Sequence, residues 1–323
     1  MPTTPSTSRR QIVIVLGMHR SGTSVTMNVL NALGLPLSDD LMPPTEFNEK
    51  GYFESWTISK IHDDILGAFG LTWSMPTTVR PLPPQWWLSP AVAPSRQQLV
   101  ELVTREFEKA GNVWGFKDPR TARLLPLWKG IIDELGLDAR YVLVSRHPRD
   151  CARSLQTRER MNPMQGELLW LEHTADAITH TGGKLDAIVE YDRWFDDGLA
   201  QAEYLINALG LTHPGPEPLS GMVQTIVSSD LRHSRTTEAI YELSFTAEFH
   251  DAVHKRDSAR LDLMANLFAA TRQFSQKVIG LCTQELIGRL NETTRIANER
   301  GRDIAVLQER LTVQQSAVAK DVP

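Results

Sequence analysis

A buried strand followed by a tight turn and a helix constrains the fold of this chain more than any other sequence feature. The segment Ile12 to Gly17 (IVIVLG) is a continuous run of aliphatic and β-branched residues. Such a run is typical of a strand buried on both faces of a parallel sheet. Beyond the turn, apolar residues recur at helical spacing from Val25 to Leu33, and Gly34 supplies a stop signal. The start of the chain therefore predicts a strand, a turn and a helix.

Three further apolar segments extend this pattern. They are Tyr141 to Ser145, Ala187 to Val189 and, as a shorter candidate, Val113 to Phe116. The first of them runs into Pro148, a residue suited to the first turn of a helix. Strands that alternate with helices indicate an α/β domain with three layers around a mainly parallel central sheet. Ligands of such domains gather at the carboxyl ends of the strands.

The last part of the chain has a different character. From residue 286 onward a heptad pattern predicts a helical or coiled-coil arm. One seam position holds Leu290, Ala297, Ile304, Leu311 and Val318, and the other holds Leu286, Thr293, Arg300, Leu307 and Gln314. Both a coiled coil and a single amphipathic helix packed on its own domain are compatible with this pattern. We therefore predict a disordered start at 1–10, one α/β domain at 11–285 and the arm at 286–323.

Composition narrows the choice of partners and compartment. The 323 residues carry a formal net charge of −5, whereas proteins that bind nucleic acid or anionic lipid usually carry a basic surplus. A compact polyanion is still possible, because six arginines lie between Arg140 and Arg160 against two acidic residues. The only cysteines, Cys151 and Cys282, are too few for a disulfide framework. The apolar run at 12–16 is too short for a signal peptide or a membrane span, so we expect a cytoplasmic protein.

The turn after the first strand has the spacing of a phosphate-binding loop. Residues 17–24 (GMHRSGTS) fit G-x-x-x-x-G followed by Thr-Ser, with Thr23 in place of the usual lysine. Such a loop directs backbone N–H groups and the positive end of a helix dipole at an anion. A nucleotide triphosphatase also needs an aspartate after a second strand to hold Mg²⁺, but the clearest second strand ends in Ser145 and Arg146. We therefore expect a metal-independent reaction on a terminal anionic group, with Arg20 supplying positive charge.

Four motifs carry a family resemblance. They are the loop at 17–24, NEKGYFE at 48–54, WGFKDPR at 114–120, and RHPRD at 146–150 continuing to Ser154. Together they resemble the motifs of the sulfotransferases that use 3′-phosphoadenosine 5′-phosphosulfate, including a bacterial branch found in polysaccharide gene neighbourhoods. The resemblance covers roughly residues 10 to 235. It implies that the α/β domain is a sulfotransferase domain with a P-loop-like nucleotide site and no metal.

The resemblance implies roles for particular residues. The phosphosulfate end of the donor is expected at the loop, and the 3′-phosphate at Arg146 and Ser154, which lie eight positions apart. Arg20 and Lys117 are the candidates for stabilising charge during transfer. Arg232, in a late irregular stretch, is expected to touch the 3′-phosphate or the acceptor. The full set predicted to bind the donor is His19, Arg20, Ser21, Gly22, Thr23, Ser24, Arg146, Ser154 and Arg232.

A base must remove the proton of the acceptor hydroxyl. Some branches of the family use a glutamate beyond the phosphate loop, and Glu46, Glu49 and Glu54 fall in that region. We favour Glu54, because it follows a Gly-Tyr-Phe turn where a buried aromatic neighbour would raise its pKa. His62 is the next candidate, and Asp118 is the third.

The leading interpretation is a sulfotransferase that moves a sulfonate group to a hydroxyl by in-line transfer. The acceptor is expected to be a carbohydrate or glycan on the basis of the bacterial resemblance. A proline-rich segment containing Trp86 and Trp87 is a candidate wall of the acceptor site. One alternative is a P-loop kinase or nucleotide hydrolase. Another is a non-catalytic scaffold that presents the coiled-coil arm, which also allows a homodimer or another partner.

Overall fold

Four parallel strands form a sheet in the order β2-β1-β3-β4. They are β1 (Gln11–Leu16), β2 (Val113–Lys117), β3 (Asp138–Ser145) and β4 (Ala187–Glu190). The structure is a computed structural model that describes residues 9–46, 48, 50–227, 241 and 243–318. All four predicted apolar segments are strands, so the predicted parallel sheet is confirmed.

Helices alternate with the strands and continue after them. They are α1 (Thr23–Ala32), α2 (Trp56–Gly67), α3 (Ala93–Ala110), α4 (Thr121–Glu134), α5 (Pro148–Glu159), α6 (Pro163–Thr181), α7 (Arg193–Leu209), α8 (Pro216–Ile226), α9 (Ser244–Lys255) and α10 (Ser258–Val318). Pro148 occupies the first helical position of α5, as predicted. Across the described residues, none of these helices has the length and apolar character needed to span a bilayer.

Both faces of the sheet are covered, which explains why β1 lacks polar residues in its interior. Successive side chains of a strand point to opposite sides. Ile12, Ile14 and Leu16 pack in one apolar cluster with residues of α2, α3, α4 and α6. Val13 and Val15 pack in a second cluster with residues of α1, α7 and α8. The predicted three-layer arrangement is therefore confirmed.

The carboxyl ends of the strands lie along one edge of the sheet. Val15 of β1 pairs with Lys117 at the end of β2, and Leu16 pairs with Leu143 near the end of β3. The loop after β1 and the residues after β2 and β3 are therefore neighbours in space. This edge is where the sequence predicts the ligand.

The chain divides between Arg272 and Gln273 into two units. The second unit consists of the later part of α10, which is helical as predicted for the arm. Large apolar side chains are exposed along it, among them Leu281, Leu286, Leu290, Ile304 and Leu307. Its charged side chains form ion pairs at i,i+3 and i,i+4 spacing around Arg289 and Arg295. Pairing of this helix with a second one stays a prediction.

Candidate active site

A cavity of about 680 Å³ opens at the carboxyl edge of the sheet. Its walls include the loop after β1, Lys117 at the end of β2, Arg146 after β3 and Tyr191 after β4. These residues are far apart in sequence and meet because parallel strands end at the same edge. The cavity is the candidate active site.

Two glycines fix the course of the loop at residues 17–24. Gly17 has φ +147°, and a Cβ there would overlap the carbonyl oxygen of Val144. Gly22 has φ +92°, and a Cβ there would overlap the ring of Tyr191. Any other residue at these positions would be both strained and obstructed. Helix α1 begins directly after Gly22, so the N–H groups of its first turn and the positive end of its dipole lie at the cavity wall, an arrangement that favours negative charge.

Arg20, Arg146 and Ser154 form what we call the arginine cluster. Arg20 Nε donates a hydrogen bond to Ser154 Oγ at 2.8 Å, and Arg146 Nη1 donates to the Arg20 carbonyl oxygen at 3.5 Å. The Arg146 guanidinium carbon also lies 4.5 Å from the centre of the Tyr191 ring, which is a cation–π distance. The sequence predicts Arg146 with Ser154 but groups Arg20 with Lys117. In the structure the Arg20 side chain reaches Ser154 of α5 from a residue with a left-handed backbone (φ 69°), and Arg20 lines the same cavity as Lys117.

Lys117 is buried and connects the phosphate loop to a carboxylate. Its Nζ lies 2.5 Å from Glu54 Oε1 and 3.3 Å from both Thr23 Oγ1 and Ser24 Oγ. The side chain is 2% exposed. A buried ammonium needs such partners, since an unpaired one would be strongly destabilising. Thr23, which stands at the usual lysine position of a P-loop, is therefore in contact with a lysine from β2.

Glu54 is the predicted base that the structure brings next to Lys117. Its backbone carbonyl accepts a hydrogen bond from Met42 N at 2.8 Å, and the following residue, Ser55, caps α2. Burial raises the pKa of Glu54, and the neighbouring charges of Lys117 and Arg120 oppose that rise. The predicted direction of the pKa shift agrees with the structure, and its main cause is burial of the whole carboxyl group.

His62 and Asp118, the other candidate bases, have their polar atoms directed at protein groups. His62 is fully buried; its Nε2 accepts a hydrogen bond from Trp128 Nε1 at 2.9 Å, and its Nδ1 lies 3.3 Å from Asp118 Oδ1. Both oxygens of Asp118 accept hydrogen bonds from Arg120. Neither residue is among the described residues of the cavity wall. The structure thus separates both from the position expected of a base, because α2 and α4 enclose them.

The remaining predicted residues divide between the cavity and its surroundings. His19 lines the cavity 4.3 Å from Trp73 between ring centres, and burial, together with the charges of Arg120 and Arg158, holds its pKa well below the usual value. Ser21 is buried, and its hydroxyl donates to the Met18 carbonyl oxygen within the loop at 2.7 Å. Ser24 and Gly22 line the cavity, as does Glu46, whose side chain is exposed. Glu49 and Arg232 lie outside the described residues.

Tyr191, Arg120 and Trp73 are among the residues of the cavity wall that sequence-based prediction missed. Tyr191 directly follows β4, so the rule that ligands gather at strand ends was a usable signal. Arg120 lies three positions after Lys117 in the motif at 114–120, but nothing in that motif indicates which residue Arg120 contacts. Trp73 lies in a segment without periodicity and carried no signal. Trp86, a candidate for the acceptor wall, is buried in the core against Phe69 instead.

Comparison with known proteins gives structural likeness only. No protein-family model and no curated protein matches the chain. The sulfotransferase domain of the olefin synthase from Synechococcus PCC 7002 is 18% identical, with 81% of this chain and 95% of that chain covered and a TM-score of 0.43. The sulfotransferase domain from the curacin biosynthetic pathway is 13% identical, covering 70% and 81%, with a TM-score of 0.41. Sulfotransferase STF9 from Mycobacterium avium is 13% identical, covering 77% and 76%, with a TM-score of 0.44.

Proposed function

We propose that this chain is a sulfotransferase that transfers a sulfonate group from 3′-phosphoadenosine 5′-phosphosulfate to a hydroxyl acceptor. The observation that carries the proposal is the position of Lys117. It lies between the hydroxyls of the phosphate loop and the buried carboxylate of Glu54. Anion site, cation and base are therefore adjacent in one cavity, and the sequence motifs resemble those of this family.

The donor has two anionic ends, and the cavity offers two groups of anion-binding residues. The N-terminus of α1 and its loop suit the phosphosulfate end, where backbone N–H groups and the helix dipole favour negative charge. The arginine cluster suits the isolated 3′-phosphate, because guanidinium groups form charge-assisted hydrogen bonds with phosphate. Within this proposal Arg20 serves the 3′-phosphate end, and Lys117 supplies the side-chain cation next to the sulfonate.

The reaction is an in-line displacement at sulfur. The acceptor oxygen forms a bond to sulfur while the bond from sulfur to the 5′-phosphate oxygen breaks, and the acceptor proton moves to Glu54. The nucleotide bisphosphate leaves with the electron pair of the broken bond. Lys117 stabilises the negative charge that develops on the sulfonate and on the leaving oxygen.

Proton transfer and charge stabilisation are linked through the Glu54–Lys117 ion pair. When Glu54 is ionised, one of its oxygens holds the Lys117 ammonium at 2.5 Å. Once Glu54 takes the acceptor proton, its attraction for the ammonium falls. Lys117 then interacts more strongly with the leaving oxygen, where negative charge has just increased.

For the acceptor we favour a carbohydrate hydroxyl. The Trp73 ring lies at the cavity wall, and an indole face is a suitable surface for a sugar ring. Glu46 and Asp63 of the same wall carry exposed carboxylates that can accept hydrogen bonds from hydroxyl groups. These residues and the resemblance to a bacterial branch support the choice.

We favour a homodimer in which the second units of two copies pair as a coiled coil. We also favour a cytoplasmic location for the protein. Leu286 and Leu290 occupy the two predicted seam positions, and both are exposed in the single chain. The ion pairs of the helix, in contrast, join residues of the same helix at i,i+4 spacing. Sedimentation of the full chain should give a dimer, and the double change Leu286→Asp and Leu290→Asp should give a monomer. A wild-type monomer at high concentration would contradict this part of the proposal.

The donor assignment is tested by thermal stability. The product nucleotide 3′-phosphoadenosine 5′-phosphate should raise the melting temperature without any metal, since a ligand that binds only the folded state stabilises it. Arg146→Ala should remove most of that increase. Arg153→Ala is the matched control, because Arg153 is exposed on α5 and is not among the described residues of the wall. If ATP with Mg²⁺ stabilises the chain more than this nucleotide does, the donor assignment is wrong.

Transfer itself is tested by incubating the chain and the sulfated donor with a glycan and lipid extract. An acceptor should gain the mass of one SO₃ group. Glu54→Gln should lose this transfer but keep the stabilisation by the product nucleotide, because a glutamine side chain has nearly the same shape as the glutamate that it replaces. Donor hydrolysis and transfer that are unchanged in both Glu54→Gln and Lys117→Ala, together with loss of oligomers on truncation at residue 285, would favour the scaffold alternative.

A further inference from the structure

A row of buried polar groups runs from the core to Glu54, and the proposed reaction uses none of its other members. It starts at Trp128, whose Nε1 donates to His62 Nε2 at 2.9 Å. Because Nε2 accepts this bond, the neutral ring carries its proton on Nδ1. That Nδ1 lies 3.3 Å from Asp118 Oδ1. His62 and Asp118 are 0% and 1% exposed, so the contact is sheltered from water.

Asp118 holds Arg120 through a two-point contact. Arg120 Nε donates to Asp118 Oδ1 at 2.9 Å, and Nη2 donates to Oδ2 at 2.7 Å. The Arg120 backbone N–H also donates to Oδ1, at 2.8 Å. Nη2 further contacts Ser59 Oγ, and Nη1 lies 2.6 Å from Asp63 Oδ1. A planar guanidinium fixed at these points has one orientation.

That orientation places Arg120 next to the base. Arg120 Nη2 lies 3.8 Å from Glu54 Oε2, while Lys117 Nζ lies 2.5 Å from Oε1. The two oxygens of the carboxylate thus face two different cations. Of these two contacts only the one with Lys117 is a hydrogen bond, so the Arg120 contact leaves the lone pairs of Oε2 available to another donor.

We propose that Asp118 and Arg120 act as a positioning pair for Glu54, with opposite electrostatic effects on its carboxyl group. The proposal rests on the role of Glu54 as the base in the proposed function. Arg120 favours the ionised carboxylate, and Asp118 disfavours it. Asp118 also partly neutralises Arg120, so that Oε2 is not fixed in a second strong ion pair. His62, which accepts the hydrogen bond of Trp128, lies against Asp118.

The surrounding charges agree with this division. Burial raises the pKa of Glu54; Lys117 lowers it, Asp118 raises it and Arg120 lowers it. The charged groups that act on Glu54 are Lys117 of β2 and Asp118 and Arg120 just before α4. On α2, His62 lies against Asp118 and Asp63 pairs with Arg120. The other charged side chains of the cavity wall are Arg20, Glu46, Lys50, Arg146, Arg158 and Glu159.

The test is a direct titration of Glu54 in the ligand-free full chain. Carbon-13 NMR of glutamate-labelled protein follows the carboxyl signal, which is assigned by its loss in Glu54→Gln. Asp118→Asn should lower the titration midpoint, because it removes a negative neighbour. Arg120→Gln should raise the midpoint, because it removes a positive neighbour and leaves Asp118 unpaired. The displacement in Arg120→Gln should be about one pH unit, as expected for a charge a few ångströms away, and the displacement in Asp118→Asn should have the opposite sign.

Two variants keep the test decisive. Asp186→Asn removes a carboxylate from a different ion pair, in which Asp186 Oδ1 lies 2.9 Å from Arg140 Nη1. Neither residue is among the described residues of the cavity wall, so this change should leave the midpoint unchanged. Arg120→Lys retains the charge but loses the two-point contact. It should keep the midpoint closer to wild type than Arg120→Gln does. If Arg120→Gln does not fold, the direction of the Asp118→Asn displacement remains the test.

The outcome separates this inference from the proposed function. Midpoints that move in the same direction, or do not move, in Asp118→Asn and Arg120→Gln would overturn the positioning pair even if sulfonate transfer is observed. Opposite displacements would support the pair even if the chain transferred a different group. Where transfer is measured, the acid side of its pH profile should move with the NMR midpoint, with a change in kcat rather than in KM for the donor.

Discussion

Two ion pairs with nearly the same distance show how differently charges act in the two units of this chain. In the first unit, Arg123 and Glu172 lie 2.8 Å apart and their side chains are 1% and 0% exposed. In the second unit, Arg295 and Glu299 lie 2.7 Å apart and are 57% and 54% exposed. The distance between the charged atoms therefore says little about what an ion pair contributes to the free energy of unfolding. Burial determines the effect, because water screens the exposed pair and leaves the buried one dependent on its partner.

Glu172→Gln should produce the largest effect. Both carboxylate oxygens of Glu172 accept hydrogen bonds, from Arg123 Nη2 and from the backbone N–H groups of Thr77 and Thr78. The change leaves the Arg123 charge buried without its counter-ion, which costs about 3–5 kcal/mol. Urea denaturation should show this as a lower midpoint with an unchanged slope. A loss below about 1 kcal/mol would mean that the buried pair behaves like an exposed one.

Lys117→Ala tests the buried cation of the cavity. If Lys117 stabilises the leaving oxygen, its removal should lower kcat about 10²–10³-fold, the usual effect of losing one such group. Lys109→Ala is the control, because Lys109 is an exposed lysine of α3 paired with Asp39. Equal activity of the two variants would remove Lys117 from the proposed mechanism. Donor binding, measured by melting temperature, should change far less than kcat.

Much of this buried arrangement follows from strand periodicity. The apolar run of β1 and its following glycines predicted the sheet edge, and the motifs that carry the resemblance placed Lys117 and Arg146 after the two strands that flank β1. Glu54 was selected among three glutamates from the turn before it. The prediction of the sheet succeeded because a parallel sheet gathers strand ends without any knowledge of side-chain packing, whereas the roles of these side chains stay predictions.

Contacts between side chains on different loops and helices could not be predicted in the same way. Arg20 and Ser154 are 134 positions apart, and their hydrogen bond forms between a loop residue with left-handed backbone and a helix that comes much later in the chain. His62 looked like a possible base because sequence does not reveal that Trp128 and Asp118 enclose it. The contact of Arg120 with Glu54 depends on how α2 packs against the start of α4. Such details are set by tertiary packing rather than by local pattern.

The acid side of the pH profile of sulfonate transfer tests the effect of burial on Glu54. Burial raises the pKa of Glu54 above that of an ordinary glutamate, and the base must be ionised to accept the proton. Turnover should therefore fall as the pH drops through the raised pKa, by about tenfold for each further pH unit. Initial rates between pH 4 and pH 8, roughly the range around an ordinary glutamate pKa and above it, measure this. Glu101→Gln, at an exposed residue of α3 that is not among the described residues of the cavity wall, should leave the profile unchanged.

Glu299→Gln should have the smallest effect. The change removes one partner of an exposed i,i+4 pair with Arg295, which also pairs with Glu292 three positions earlier. Pairs of this kind stabilise a helix by about 0.3–0.5 kcal/mol, and Glu292 retains part of the interaction. Circular dichroism of the full chain during heating should show a loss of helix stability no larger than this free energy. The loss should be smaller at high salt, because exposed charges are screened. A loss as large as that of Glu172→Gln would mean that the Arg295 pair is buried in the folded protein, which is the result expected if a second helix covers that side of the arm.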